Sequence, residues 1–147
     1  MTSSGTRPLQ QNDAPRRRLV LAEDDDEVRF ALAELLVGDG FEVVCVPDGH
    51  RLVDYLSRCE QEDRLPDVIV TDHRMPGYTA LDVLKGLRDA HWRVPVIVIT
   101  AFGPDVREPA RALGASAVFD KPFDPDDLRT AVLYWTEHPD AQTGRKG

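Results

Sequence analysis

Five residues at separated places in this 147-residue chain could do chemistry together: Glu23 and Asp24, Asp72, Thr100 and Lys121. Carboxylates crowded into one place repel unless a proton or a cation intervenes. A small hard cation resolves the repulsion, and Mg2+ favours one or two carboxylates together with waters and phosphate oxygens. One aspartate of such a set can act as a nucleophile toward phosphorus and form an acyl phosphate. A bound metal would neutralise the charge on the transferred group. A lysine amine and a threonine hydroxyl could hold the remaining phosphoryl oxygens through charge-assisted hydrogen bonds. Each group alone has an ordinary explanation. Asp25 or Asp26 caps a helix, Asp72 caps a loop, Thr100 is a strand residue and Lys121 is a solvated surface amine. Capping, however, does not require all four to stand at strand ends.

Strand ends are where the pattern puts them. Leu19-Val20-Leu21-Ala22, Phe41 to Val46, Val68 to Thr71, Val94 to Ile99 and Ala117 to Phe119 read as five strands. Between and after them, apolar residues recur at helical spacing: Val28 to Leu36, Leu52 to Leu56, Leu81 to Leu87, a segment from Pro104 to Leu113, and Pro125 to Trp135. The fourth strand is apolar throughout, which predicts burial on both faces. Strands alternating with helices give βαβ units, a parallel sheet and helices on both sides, an α/β doubly wound fold. In such folds ligands bind outside the carboxyl ends of the strands. Glu23 and Asp24, Asp72, Thr100 and Lys121 each fall at or just beyond such an end.

Composition narrows the classes. Lys+Arg 18 against Asp+Glu 26 gives a net charge of −8, with 41% hydrophobic residues. This is an ordinary globular balance, long enough for one domain with a sizeable core. An acidic surface disfavours direct contact with nucleic acid. No apolar run approaches membrane-spanning length, and no secretory signal opens the chain. Two cysteines cannot build a disulfide framework and fit a reducing, cytoplasmic setting. Residues 1–17 are expected to form a disordered tail, 18–136 the folded domain and 137–147 a flexible tail. The four histidines lack ligand spacing, so no zinc site is expected. Trp92 and Trp135 read as packing anchors. Cys45, in a strand, is expected to be buried, and Cys59, near a helix end, to be exposed.

The ordered motifs Leu19-Val20-Leu21-Ala22-Glu23-Asp24-Asp25, Pro66 through Gly77, Pro95 through Ala101 and Lys121-Pro122-Phe123 resemble those of the receiver domain of two-component response regulators. Gly114-Ala115 fits as well, and the likeness spans essentially all of residues 18–136. The resemblance implies a flavodoxin-like (βα)5 sandwich with strand order 2-1-3-4-5. It further implies that Asp72 is the phosphoacceptor and that Glu23, Asp24, Asp72 and the backbone carbonyl of Arg74 bind Mg2+, with Mn2+ a substitute. Thr100 would contact the phosphoryl group, Lys121 would pair with Asp72, and the Lys121-Pro122 bond would be cis. The implied partners are a sensor histidine kinase or phosphotransfer protein and a downstream protein target, with a homodimer on phosphorylation as a further option. The surface formed by the fourth helix, fifth strand and fifth helix would change on phosphorylation.

Several positions depart from that family's pattern. Val118 stands where Tyr or Phe is usual, so coupling from Thr100 must differ or weaken. Ala80 replaces a Gly, implying a different loop into the third helix. Pro109 predicts a fourth helix that is short, kinked or late to start. Arg74 and Phe102, two residues after Asp72 and Thr100, are bulky beside the family's path for hydrolytic water and suggest slow loss of phosphate. Two other readings compete: a Mg2+-dependent phosphohydrolase with an aspartyl nucleophile, and a receiver-like interaction module that is never phosphorylated. Haloacid-dehalogenase-type hydrolases usually carry a second Asp two residues after the nucleophile, where this chain has Arg74. The third reading usually goes with a lost acceptor or lysine, and both are present.

Overall fold

The computed structural model describes residues 16–139, so the expected tails lie outside it except for Arg16, Arg17 and residues 137–139. Among the described residues, ten elements alternate strand and helix. They are β1 (Arg18–Ala22), α1 (Asp26–Gly38), β2 (Glu42–Val46), α2 (Gly49–Gln61), β3 (Val68–Asp72), α3 (Ala80–Asp89), β4 (Val96–Thr100), α4 (Gly103–Ala112), β5 (Ala117–Asp120) and α5 (Pro125–Glu137). Glu137 closes α5, so the last helix runs one residue past the expected domain edge.

The five strands among the described residues are parallel, in the order β2-β1-β3-β4-β5. This is the flavodoxin-like arrangement. Every residue of β3 and β4 is buried, because central parallel strands are covered on both faces. The period-two alternation of side chains then splits the core. On one face Val20, Ile69, Val96 and Val98 pack with Leu52 and Leu56 of α2, Val83, Leu84 and Leu87 of α3, and Val106 and Ala110 of α4. On the other, Leu19, Leu21, Val68, Val70, Ile97 and Ile99 meet Leu32 and Leu36 of α1 and Leu128 and Val132 of α5. Trp92 packs on the first cluster and Trp135 on the second, as anchors.

Helix starts follow local chemistry. Asp25 caps α1 by accepting from the Val28 N–H at 3.0 Å, Asp48 caps α2, and Thr79 with Asp82 closes a capping box on α3. The exception is α4, whose N-cap Phe102 supplies no side-chain bond. Pro109 shortens nothing at the front: α4 starts at Gly103 rather than late, and runs unbroken through Pro109 for ten residues. The proline removes the bond that the Asp105 carbonyl would have accepted. Ala80 is the first residue of α3 and is fully buried.

Two expectations about cysteine reverse. Cys45 is exposed and Cys59 buried. Cys45 lies on the edge strand β2, while Cys59 continues the inward stripe of α2 begun by Leu52 and Leu56.

Candidate functional site

The sheet order reverses between β1 and β3: from β1 the chain goes first to one neighbour, then to the other. A crevice at the carboxyl ends of these two strands follows from that connectivity. Glu23 and Asp24 leave β1 there, and Asp72 ends β3 beside them. Carboxylate oxygens of Glu23, Asp24 and Asp72 lie within 4.8 Å of one another. Glu23 is fully buried and Asp72 is 5% exposed, whereas Asp24 is open to solvent.

Burial of two acids needs compensation. Glu23 is fixed by its own backbone N–H to the Val46 carbonyl at 3.1 Å, by the Asp25 N–H donating to its Oε2 at 3.0 Å, and by the Arg29 guanidinium donating to its carbonyl at 2.8 Å. Lys121 supplies the counter-charge. Its Nζ donates to Asp72 Oδ2 at 2.9 Å and to Glu23 Oε1 at 3.3 Å. Its position is set by its backbone N–H, which donates to the Thr100 carbonyl at 2.8 Å, and the Lys121-Pro122 bond that follows is cis, as expected. Burial raises the Glu23 carboxyl above its ordinary value, with the Asp72 charge adding to the rise against the Asp25 N–H and Lys121. For Lys121, burial acts downward, but the hydrogen bond and charge of Asp72, helped by Glu23, leave the ammonium raised. Three carboxylates facing one ammonium leave an excess of negative charge, with hard oxygen donors converging. That donor set suits Mg2+.

Thr100 closes β4 fully buried, and its Oγ1 accepts from the Phe102 N–H at 2.8 Å. The Arg74 guanidinium, from the loop after β3, stacks on the Phe102 ring, 4.6 Å from the centroid. The loop that carries Arg74 is braced from α2. The Gly49 N–H donates to the Pro76 carbonyl, and any Cβ on Gly49 would overlap the Tyr78 backbone.

The residues picked out in the sequence therefore lie at one sheet edge, with Lys121 bridging Asp72 and Glu23. Sequence reasoning passed over Arg29, which fastens the Glu23 carbonyl, and Asp120, whose carboxylate sits against Gly103 and pairs with Arg107. Arg29 lies one turn into the helix that follows the acids, the one signal that could have marked it.

A family model described as the response regulator receiver domain matches residues 19–133. Sporulation initiation phosphotransferase F of Bacillus subtilis is 28% identical over 116 residues, covering 78% of this chain and 90% of that one. The transcriptional regulatory protein CpxR of Escherichia coli is 36% identical over 127 residues, covering 82% of this chain but 52% of its relative. Among solved structures, a DNA-binding response regulator of the LuxR family from Staphylococcus aureus superposes with a TM-score of 0.70 at 29% identity, covering 82% of this chain and 98% of that one.

Proposed function

This chain belongs to the response regulator receiver domain family, and from that premise we propose that it is a phosphoacceptor signalling domain in which Asp72 takes a phosphoryl group from a phosphohistidine on a sensor histidine kinase or phosphotransfer protein. The observation that carries the reading is the Lys121 ammonium held between Asp72 and Glu23, at 2.9 and 3.3 Å, in a pocket of three carboxylates. Asp72 is the nucleophile: one carboxylate oxygen bonds to phosphorus as the bond from phosphorus to the donor imidazole breaks, and the imidazole keeps that electron pair. Lys121 pairs with the free Asp72 oxygen and orients the carboxylate, and it remains to bind a phosphoryl oxygen. Thr100 gives up the Phe102 N–H and turns its hydroxyl to the phosphoryl group.

Glu23, Asp24, Asp72 and the Arg74 backbone carbonyl would hold Mg2+, with Mn2+ as a substitute. When bound, the ion offsets the negative charge gathered on the acids and on the incoming group. The only chemistry in this reading is on the chain's own Asp72, so it is a switch and not a turnover enzyme. The switched surface comprises α4, β5 and α5 and meets a downstream protein; pairing with a second copy on phosphorylation belongs to the same proposal. The net charge of −8 disfavours nucleic acid as a direct partner. No helix among the described residues is long and apolar enough to cross a membrane, and we place the domain in the cytoplasm, where its phosphohistidine donor would be met.

Incubation with Mg2+ and acetyl phosphate tests the reading. The expected result is one phosphate per chain, absent without metal and absent in Asp72→Asn. Continuous release of phosphate would point to a hydrolase, and no labelling to an interaction module.

A further inference from the structure

The N-terminus of α4 is held from outside its own sequence. Phe102 offers no side-chain cap, and the carboxylate of Asp120, from the end of β5, sits against Gly103 instead. A Cβ at residue 103 would overlap Asp120 Oδ1, so glycine is what lets the carboxylate in. Negative charge is favoured at that end of a helix. One turn later, Arg107 reaches back with both terminal nitrogens: Nη2 donates to Asp120 Oδ2 at 2.6 Å and Nη1 to the Val118 carbonyl at 3.2 Å. That carbonyl is available because β5 is the edge strand. Beside the pair, a cavity of about 250 Å3 is lined by Arg107, Arg111, Ala115, Ser116, Ala117 and Val118. Val118 lines this space together with Arg107, and the guanidinium has room to leave its carboxylate.

We propose that Arg107 and Asp120 form a latch that positions the first turn of α4, and through it the Phe102 N–H on Thr100 Oγ1, so that the ion pair governs how readily Thr100 turns toward Asp72. The inference rests on the phosphoacceptor reading of Asp72. The connection is short and covalent for most of its length. Thr100 bonds Phe102, Phe102 precedes Gly103, and Gly103 lies under Asp120, whose next residue is Lys121. Turning the Thr100 hydroxyl requires release of the Phe102 amide, and that amide moves with the turn that Asp120 and Arg107 hold. The pair is half exposed, with side chains 38% and 53% accessible. Its bias is therefore small, as a reversible latch requires.

Amide hydrogen exchange at Phe102 and at Asp105 to Arg107 reads the latch without any phosphorylation. In Arg107→Gln and in Asp120→Asn, exchange at these amides should rise about twofold to fivefold, the range for exposed ion pairs. The double variant should fall short of the sum of the single ones, because both break the same ion pair. Arg107→Lys, which cannot serve both acceptors, should fall between, and Gly103→Ala should reproduce Asp120→Asn. Labelling of Asp72 by acetyl phosphate and Mg2+ should quicken by a similar factor. Unchanged exchange at Phe102 in the single variants, additive effects in the double variant, or quickened exchange with an unchanged labelling rate would each overturn the latch. Failure of the parent chain to label at all would remove the phosphoacceptor reading, and the exchange data would still decide whether the pair holds α4.

Discussion

Lys121 carries one positive charge between two carboxylates, and a third lies within reach. The negative charge left over at these residues is what a bound cation would offset. Removing one acid relieves repulsion, so Asp72→Asn should raise the melting temperature of metal-free protein while abolishing the further rise that Mg2+ gives the parent chain; thermal melts with and without Mg2+ check both. The Arg74–Phe102 stack adds a second residue-scale feature. A cation over an aromatic face is worth about 0.5–1 kcal/mol at exposed sites, enough to keep the two side chains stacked for most of the time. Phosphate on Asp72 should accordingly outlast seconds in the isolated domain, and Arg74→Ala and Phe102→Ala should each shorten its life. Decay of labelled protein after removal of the donor measures it, and equal lifetimes in all three proteins would dismiss the stack as a shield.

At the scale of elements, helices are tied to one another by arginines rather than by apolar packing alone. Arg129 of α5 forms a two-pronged bond to Asp39 at the end of α1, at 2.9 and 2.7 Å. Arg88 of α3 donates to the carbonyls of Trp92, Val94, Leu113 and Gly114, fastening α3 to the turn after α4. Its guanidinium lies below its ordinary value because it is buried. The Arg129 hydrogen bond lowers the Asp39 carboxyl below its ordinary 3.8. A depressed acid contributes stability that is present above the unfolded-state value and fades as pH falls through the folded-state value. Asp39→Asn should therefore weaken the domain at pH 7, and the difference from the parent should shrink below about pH 3.8. Urea denaturation across that range tests it, and a gap that stayed constant with pH would exclude the charge as its source.

For the whole molecule, the two core clusters share one sheet, and a cavity in a central strand is felt by every helix on that face. Ile97 is fully buried in β4 among residues of α1- and α5-facing core. Ile97→Ala should cost about 2–5 kcal/mol of stability, read as a lower urea midpoint with an unchanged slope. The alternation of strands and helices, the parallel sheet and the chemical set Glu23, Asp24, Asp72, Thr100 and Lys121 were all legible in the sequence, because burial periodicity and polar residues at strand ends are local patterns. Contacts between distant segments were not. Cys45 and Cys59 exchanged their expected environments because exposure depends on which strand becomes an edge and which helix face turns inward. Asp120 seemed an ordinary neighbour of Lys121 until the sheet brought β5 against the start of α4, where glycine leaves room for its carboxylate. Arg74 and Phe102 stood in separate motifs, and only the adjacency of the loops after β3 and β4 stacks them. The amino-acid order alone thus determined which groups the chain offers and at which strand ends. Tertiary structure decided which of them touch, because pairing across the sheet joins residues that are far apart along the chain.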